Sequence, residues 1–157
     1  MSVQIKNQPY EHTKYQMVFD TYPFELSDFQ KWAIEAIHEK KNVMITAFTG
    51  SGKTLPAEEA IKFYHSIGQR SIYCSPVKAL TNEKYDSFSK KFPEISFGIF
   101  TGDNKDNPEA DCLLMTTEIL ANNLKHIKDE KESSLLDFNM DYNNDLGVVI
   151  FDEFQYL

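Results

Sequence analysis

The stretch that decides the fold is Ala47-Phe48-Thr49-Gly50-Ser51-Gly52-Lys53-Thr54. It follows a short apolar run and opens an amphipathic segment, and its spacing is that of a phosphate-binding loop between a strand and a helix. Ala47 stands where that pattern has its first glycine. Gly50 and Gly52 would let backbone N–H groups wrap around phosphates, while Lys53 supplies a positive charge to the outer ones. The alternative is a glycine-rich turn with an incidental lysine.

Apolar runs and helical periodicities alternate on both sides of this loop. The short runs predict buried strands at residues 43–47, 71–74, 95–100, 112–115 and 148–151. Helical spacing predicts helices at residues 26–40, 52–67, 76–92 and 117–127, with Gly68 ending the second. The pattern therefore predicts an α/β fold with a parallel sheet and helices on both faces, and such sheets bind ligands at the carboxyl ends of their strands.

A second motif stands at the end of the last predicted strand, where Asp152 and Glu153 follow four apolar residues. The strand should deliver both carboxylates to the sheet edge at which the phosphate-binding loop is expected. Asp152 would hold Mg²⁺ through water and the Thr54 hydroxyl would bind the same ion, while Glu153 would orient and deprotonate the attacking water. Alone, an Asp-Glu pair after a strand is an ordinary turn.

Composition narrows the class of protein. The chain has 157 residues, of which 41% are hydrophobic, and it includes 12 Phe, 8 Tyr and 1 Trp, which argues against disorder. No apolar run approaches the ~20 residues of a membrane span. Residues 1–22 are polar and lack the apolar core of a secretory signal, which predicts an intracellular protein, cytoplasmic or nuclear. Cys74 and Cys112 lie in apolar segments, where buried reduced thiols are expected rather than a disulfide.

The net charge of -8 is unevenly distributed. Residues 1–100 carry 12 basic and 11 acidic side chains, whereas residues 101–157 carry 4 and 13. Part of the acidic surplus lies in residues 129–145, which the Ser- and Asn-rich composition predicts to be a solvated loop. The acidic balance argues against indiscriminate binding of nucleic acid by the whole chain.

Six ordered blocks resemble the superfamily 2 DExD/H-type helicases, and more closely their superkiller-type, exosome-associated RNA helicase branch. The blocks are residues 24–30, 47–54, 75–85, 101–103, 115–120 and 152–155. The resemblance implies a RecA-like P-loop NTPase lobe at residues 23–157 after an N-terminal extension at residues 1–22. It also implies that the lobe is truncated after the Asp-Glu motif and that the second lobe is absent.

The same resemblance implies that the ligand is ATP with Mg²⁺. Gln30 is the candidate for reading the adenine edge, since an amide both donates and accepts, and Phe24 is the candidate for contacting the adenine face. The alternative for Gln30 is a solvent-facing helix residue. The implied nucleotide-binding residues are Phe24, Gln30, Thr49, Gly50, Ser51, Gly52, Lys53 and Thr54, with Lys53 and Glu153 catalytic.

Three blocks resemble the family's motifs that hold the sugar-phosphate backbone of single-stranded RNA, with DNA not excluded. Their candidate residues are Ser75, Pro76, Lys78, Thr101, Gly102, Thr116 and Thr117. Helix N-termini and hydroxyls at these positions would meet phosphates directly. For Lys78 the alternative is a solvated helix lysine.

The resemblance departs from the family pattern in two places. Gln155 replaces the histidine that couples ATP state to the second lobe, and the only arginine, Arg70, stands at the start of a predicted strand away from the nucleotide. The arginine fingers would therefore come from a second lobe, in this or another chain. Residues 138–146 resemble homologues from large DNA viruses, which implies a host cell or virus factory.

The expected function is therefore the ATP-binding part of an ATP-dependent RNA helicase, with the isolated chain inactive or very weak. The alternative is a truncated nucleotide- or RNA-binding module, or a split-gene remnant, without motor activity. The N-terminal aromatics are expected to pack onto the lobe, although they could instead form a platform for bases; they are Tyr10, Tyr15, Phe19 and Tyr22.

Overall fold

The computed structural model describes residues 3–129, 140, 141 and 143–153. The chain divides into two compact units, Met1–Ala60 and Ile61–Leu157. Helices α1 (Gln16–Phe19) and α2 (Asp28–His38) belong to the first unit, and helix α3 (Thr54–Ser66) contains the boundary. The second unit contains the sheet. The predicted loop at residues 129–145 lies mostly outside the described residues, and Gln155 lies entirely outside them.

The first unit packs around the apolar side of α2. Its buried core consists of Phe19, Leu26 and Ile34, and partly buried side chains surround them, including Tyr10, Tyr15, Val18, Tyr22 and Leu55. Helix α2 begins after Ser27, as its capping side chain predicts, and the Ser27 N–H donates to Oε1 of Gln30 at 2.9 Å. This helix, which carries Gln30, is thus fixed at its first turn.

The N-terminal aromatics pack rather than form a platform for bases. The Tyr10 ring lies edge-on to Trp32, with centroids 4.8 Å apart, and its hydroxyl donates to Glu35 at 2.7 Å. The Trp32 indole N–H donates to the Gln8 carbonyl at 3.0 Å. The prediction that this segment packs onto the lobe is confirmed, because its aromatic rings pack against α2.

Five strands form one sheet in the order β3-β2-β4-β1-β5. The strands are β1 (Arg70–Ser75), β2 (Phe97–Phe100), β3 (Lys105–Asp106), β4 (Cys112–Thr116) and β5 (Leu146–Phe151). The helices of this unit beyond α3 are α4 (Lys78–Lys91) and α5 (Thr117–Asp129). All neighbouring strands are parallel except β2 and β3.

Helices cover both faces of this sheet, as predicted. Side chains alternate between the faces of a strand. On β1, Ile72 and Cys74 share a buried cluster with Leu120 of α5. Tyr73 points to the opposite face and meets Phe88 of α4 edge-on, with ring centroids 5.3 Å apart.

One strand prediction was wrong, and one strand was not predicted. Residues 43–47 form no strand: Met44 is 72% exposed, and no strand occurs among the described residues of the first unit. The apolar run predicted burial, but a strand also needs a neighbour to pair with its backbone. The short β3 was not predicted, because its two residues are polar and its antiparallel pairing with β2 depends on a tight turn between Thr101 and Asn104.

Both cysteines are free and fully buried, as predicted. Burial raises the pKa of the Cys74 thiol to about 12 and raises the pKa of Cys112 as well, so neither thiol ionises at neutral pH. Within the described part of the chain, no helix is long and apolar enough to cross a membrane.

Candidate functional site

The loop at residues 47–54 has the backbone that its glycines predict. Gly50 and Gly52 have φ angles of +84° and +87°, in the region where a side chain is strained. The described non-glycine residues with positive φ are Lys40, Asn107 and Glu153, so Ala47 has an ordinary backbone conformation. The alanine therefore fits the position at which the loop pattern has its first glycine.

The Lys53 side chain folds back over this loop. The Lys53 Nζ donates to the Ala47 carbonyl at 2.8 Å, so its ammonium bridges the two ends of the loop. The Ser51 hydroxyl is buried and has no hydrogen-bond partner among the described residues. Helix α3 begins at Thr54, which places the positive end of a helix at the loop. This arrangement suits an anionic ligand.

Gln30 lies directly against the loop. Its side chain is only 7% exposed, and its Nε2 donates to the Gly52 carbonyl at 3.1 Å. The solvent-facing alternative for Gln30 is therefore wrong. A Cβ atom at Gly52 would lie 2.6 Å from this nitrogen, so a larger residue at position 52 would displace the Gln30 amide as well as strain the backbone. Phe24 is 54% exposed, which leaves a ring face open to contact.

In the second unit, four parallel strands end in register. The pairs are Phe100 with Met115, Met115 with Cys74, and Cys74 with Phe151. The residues that follow these four, in spatial order across the sheet, are Thr101, Thr116, Ser75 and Asp152. The sheet therefore brings three of the predicted nucleic-acid motifs and the acidic motif to one edge.

Asp152 is held firmly at this edge. Its backbone N–H donates to the Cys74 carbonyl at 2.9 Å. Its Oδ1 accepts the Glu153 N–H at 3.0 Å, and its Oδ2 accepts the hydroxyl of Tyr73 at 2.5 Å. Glu153 has a φ of +50°, a conformation that turns the chain sharply after β5.

The predicted nucleic-acid residues differ in accessibility. Gly102 is exposed, and partial exposure is shared by Pro76, Lys78, Thr116 and Thr117. Ser75 and Thr101 are each 1% exposed, so their side chains reach a bound strand only if the edge rearranges. The Ser75 hydroxyl donates to the Val77 carbonyl at 3.2 Å, whereas the Thr101 hydroxyl has no partner in the described structure.

Lys78 forms an ion pair with Asp103. The side chains are 42% and 82% exposed, respectively, so water screens the pair and its net stabilisation is small.

Residues 27–157 match the DEAD/DEAH box helicase family. The chain belongs to this family. It is similar to the antiviral helicase SKI2 of Saccharomyces cerevisiae, with 40% identity over 137 residues, which are 87% of this chain and 10% of SKI2. It is 39% identical over 136 residues to the exosome RNA helicase MTR4 of Homo sapiens, covering 87% of this chain and 12% of MTR4.

The sequence resemblance to the superkiller-type RNA helicases is therefore confirmed, and the sheet is that of a RecA-like α/β helicase lobe. The chain is also similar to the ATP-dependent RNA helicase mtr4 of Schizosaccharomyces pombe, with 39% identity over 137 residues. The chain spans about a tenth of the length of these relatives. The predicted viral origin is not tested by these similarities and stays a prediction.

Sequence reasoning missed two polar partners in the second unit. Tyr73 lies inside an apolar strand, and the only signal was that a buried tyrosine hydroxyl needs an acceptor. Asp103 was visible in the Thr-Gly-Asp block, but its contact with Lys78 joins residues that are 25 positions apart.

Proposed function

We propose that this chain is the ATP-binding N-terminal part of an ATP-dependent RNA helicase that couples ATP hydrolysis to movement along, or unwinding of, nucleic acid. Membership of the DEAD/DEAH box family supports ATP as the ligand. Similarity to the antiviral helicase SKI2 and to the exosome RNA helicase MTR4 supports helicase activity and, through MTR4, RNA as the substrate. The proposal includes a second helicase lobe as a partner, in this or another chain, and an intracellular location, cytoplasmic or nuclear.

The observation that carries the proposal is the row of strand ends in the second unit. Ser75, Thr101 and Thr116 come from three sequence blocks, and neighbouring strands align them with Asp152. A motor must transmit nucleotide state to its track, and a shared sheet edge gives the acidic motif and the proposed track a common support.

The candidate Mg²⁺ ligands are the Thr54 hydroxyl and the Asp152 carboxylate, as the helicase resemblance implies. Both groups are hard oxygen donors of the kind that Mg²⁺ prefers. No group of three or more His, Cys, Asp or Glu among the described residues could enclose a metal ion. This fits Mg²⁺ held by few protein ligands together with water and phosphate, rather than by a protein cage.

The remaining roles follow from the chemistry of the side chains. When bound, Mg²⁺ would neutralise charge on the outer phosphates of ATP. Lys53 would exchange the Ala47 carbonyl for a phosphate oxygen, and Gln30, whose second N–H and second lone pair are left for the base, would read the adenine edge. Glu153 would orient and deprotonate the attacking water.

The first test mixes the chain with ATP, Mg²⁺ and a single-stranded RNA oligonucleotide. We expect the chain to bind ATP in preference to GTP and to bind the RNA, but not to show RNA-stimulated turnover, because no arginine finger is available. Binding is measured by isothermal titration calorimetry and turnover by phosphate release. Failure to bind either ligand would contradict the proposed function, and stimulated turnover would contradict the need for a second lobe.

Lys78→Ala tests the RNA track. A lysine that contacts one phosphate contributes about 0.7 to the slope of log binding constant against log salt for single strands. We expect this variant to lose that contribution, as measured by fluorescence anisotropy over a salt series. Lys90→Ala, at the far end of the same helix, is the matched control and should leave the slope unchanged. Equal slopes for the two variants would indicate that Lys78 is a solvated lysine that does not contact RNA.

A further inference from the structure

Tyr73 connects the interior of the sheet to the acidic motif. The residue lies on β1 beside β5, where it pairs in register with Ile150. Its side chain is fully buried, yet its hydroxyl reaches Oδ2 of Asp152 at 2.5 Å.

The Tyr73 ring has little freedom to move this hydroxyl elsewhere. It meets Phe88 edge-on at 5.3 Å between centroids, and Phe88 itself is 1% exposed. The hydrogen bond to Asp152 compensates this buried hydroxyl for lost hydration, so breaking the bond is unfavourable. The packing of α4 on the sheet therefore fixes the donor, and the donor fixes the carboxylate.

Both oxygens of Asp152 accept a hydrogen bond. Oδ1 accepts the backbone N–H of Glu153, and Oδ2 accepts the Tyr73 hydroxyl. Two such bonds restrict rotation of the carboxylate. Both donors are uncharged, so neither places a positive charge beside the carboxylate, as a lysine or arginine in place of Tyr73 would.

We propose that Tyr73 is a positioning residue for the metal-binding carboxylate: it orients Asp152 to bind the divalent cation that accompanies ATP. This inference rests on the proposed function, in which Asp152 holds that cation. Partners of this kind around a metal site set the direction of the ligand, and their removal commonly weakens metal binding by roughly 10- to 100-fold.

Tyr73→Phe tests the inference, since it removes one oxygen atom and keeps the ring against Phe88. The readout is binding of Mn²⁺ to the chain saturated with a non-hydrolysable ATP analogue, measured by electron paramagnetic resonance. We expect roughly tenfold weaker Mn²⁺ binding. Binding of the analogue in EDTA should not change, because no metal is involved there. A merely structural role would leave Mn²⁺ binding by the folded fraction unaltered.

Tyr85→Phe is the matched control. It removes a hydroxyl that donates to Asp106 at 3.2 Å, in the same unit but away from the acidic motif. We expect Mn²⁺ binding of this variant to equal that of the unmodified chain. Thermal unfolding followed by circular dichroism gives the folded fraction of each variant.

Asp152→Asn separates failure of the inference from failure of the proposed function. Weaker Mn²⁺ binding in Asp152→Asn but not in Tyr73→Phe would overturn the role of Tyr73 alone. Unchanged Mn²⁺ binding in Asp152→Asn would overturn the metal role of Asp152, and the inference with it.

A measurement on the unmodified side chain covers the case in which Tyr73→Phe does not fold. With tyrosines labelled at the ¹³Cζ atom, the Tyr73 signal should shift when Mg²⁺ is added to the complex with the ATP analogue, because its acceptor Asp152 would then also bind the metal ion. Asp152→Asn should abolish that shift. A Tyr73 signal that does not shift on addition of Mg²⁺ to the unmodified chain would overturn the inference.

Discussion

Replacing Lys53 with alanine is expected to weaken ATP binding by roughly 30-fold, which corresponds to about 2 kcal/mol for hydrogen bonds to a charged group. In the structure the ammonium bridges the loop by donating to the Ala47 carbonyl at 2.8 Å. A phosphate oxygen is a stronger acceptor than a carbonyl, so ATP should take over this donor. The measurement is isothermal titration calorimetry with ATP, ADP and AMP.

The nucleotide series makes this prediction specific to the outer phosphates. The loss should be large for ATP and near zero for AMP, which lacks the phosphates that Lys53 would contact. Lys62→Ala, two turns further along α3, is the control and should bind ATP normally. Unaltered ATP binding by Lys53→Ala would contradict the assignment of the phosphate-binding loop.

The second large effect is expected at Gly52, and it differs from the effect at Gly50. Both glycines have strongly positive φ angles, so alanine at either position costs about 1 kcal/mol or more of backbone strain. At Gly50 an added Cβ atom meets nothing within 4 Å, whereas at Gly52 it would lie 2.6 Å from Nε2 of Gln30. Gly52→Ala should therefore displace the Gln30 amide as well.

Calorimetric titration with ATP and GTP distinguishes these two effects. Gly50→Ala should weaken the binding of ATP and of GTP alike, by at most about tenfold, and should keep the preference for ATP. Gly52→Ala should weaken ATP further and bring ATP and GTP to similar affinities, since Gln30 is the proposed reader of adenine. Retained ATP preference in Gly52→Ala would count against the role of Gln30. That result would not contradict the phosphate-binding loop, because Lys53→Ala tests the loop independently.

Much of the fold was predictable because local chemistry and periodicity act within one segment. Helix α2 follows from the recurrence of its apolar residues and from the cap at Ser27. Strands β1, β4 and β5 are short apolar runs, and each was predicted to within two residues. The predicted burial is confirmed for β1 and β4 but is wrong for β5, an edge strand that is half-buried, with Phe151 49% exposed. Gly68 ends α3, as its φ of +75° requires.

Pairing and contact could not be predicted in the same way. Residues 43–47 have the composition of a strand but are not paired, since the backbone of a strand must find a neighbour and the described first unit contains none. The alignment of Ser75, Thr101, Thr116 and Asp152 likewise depends on the spatial order of the strands, which differs from their order along the chain.

The sequence by itself determined the loop, the acidic motif and the order of the helicase blocks, because each depends on residue type and spacing over a few positions. Only the tertiary structure decided that Gln30 lies against Gly52, that Asp103 pairs with Lys78, and that a buried tyrosine donates to Asp152. The physical reason is the same in each case. A hydrogen bond or ion pair between residues far apart in the sequence forms only after strands and helices have packed. Local residue type and spacing do not predict which side chains that packing brings into contact.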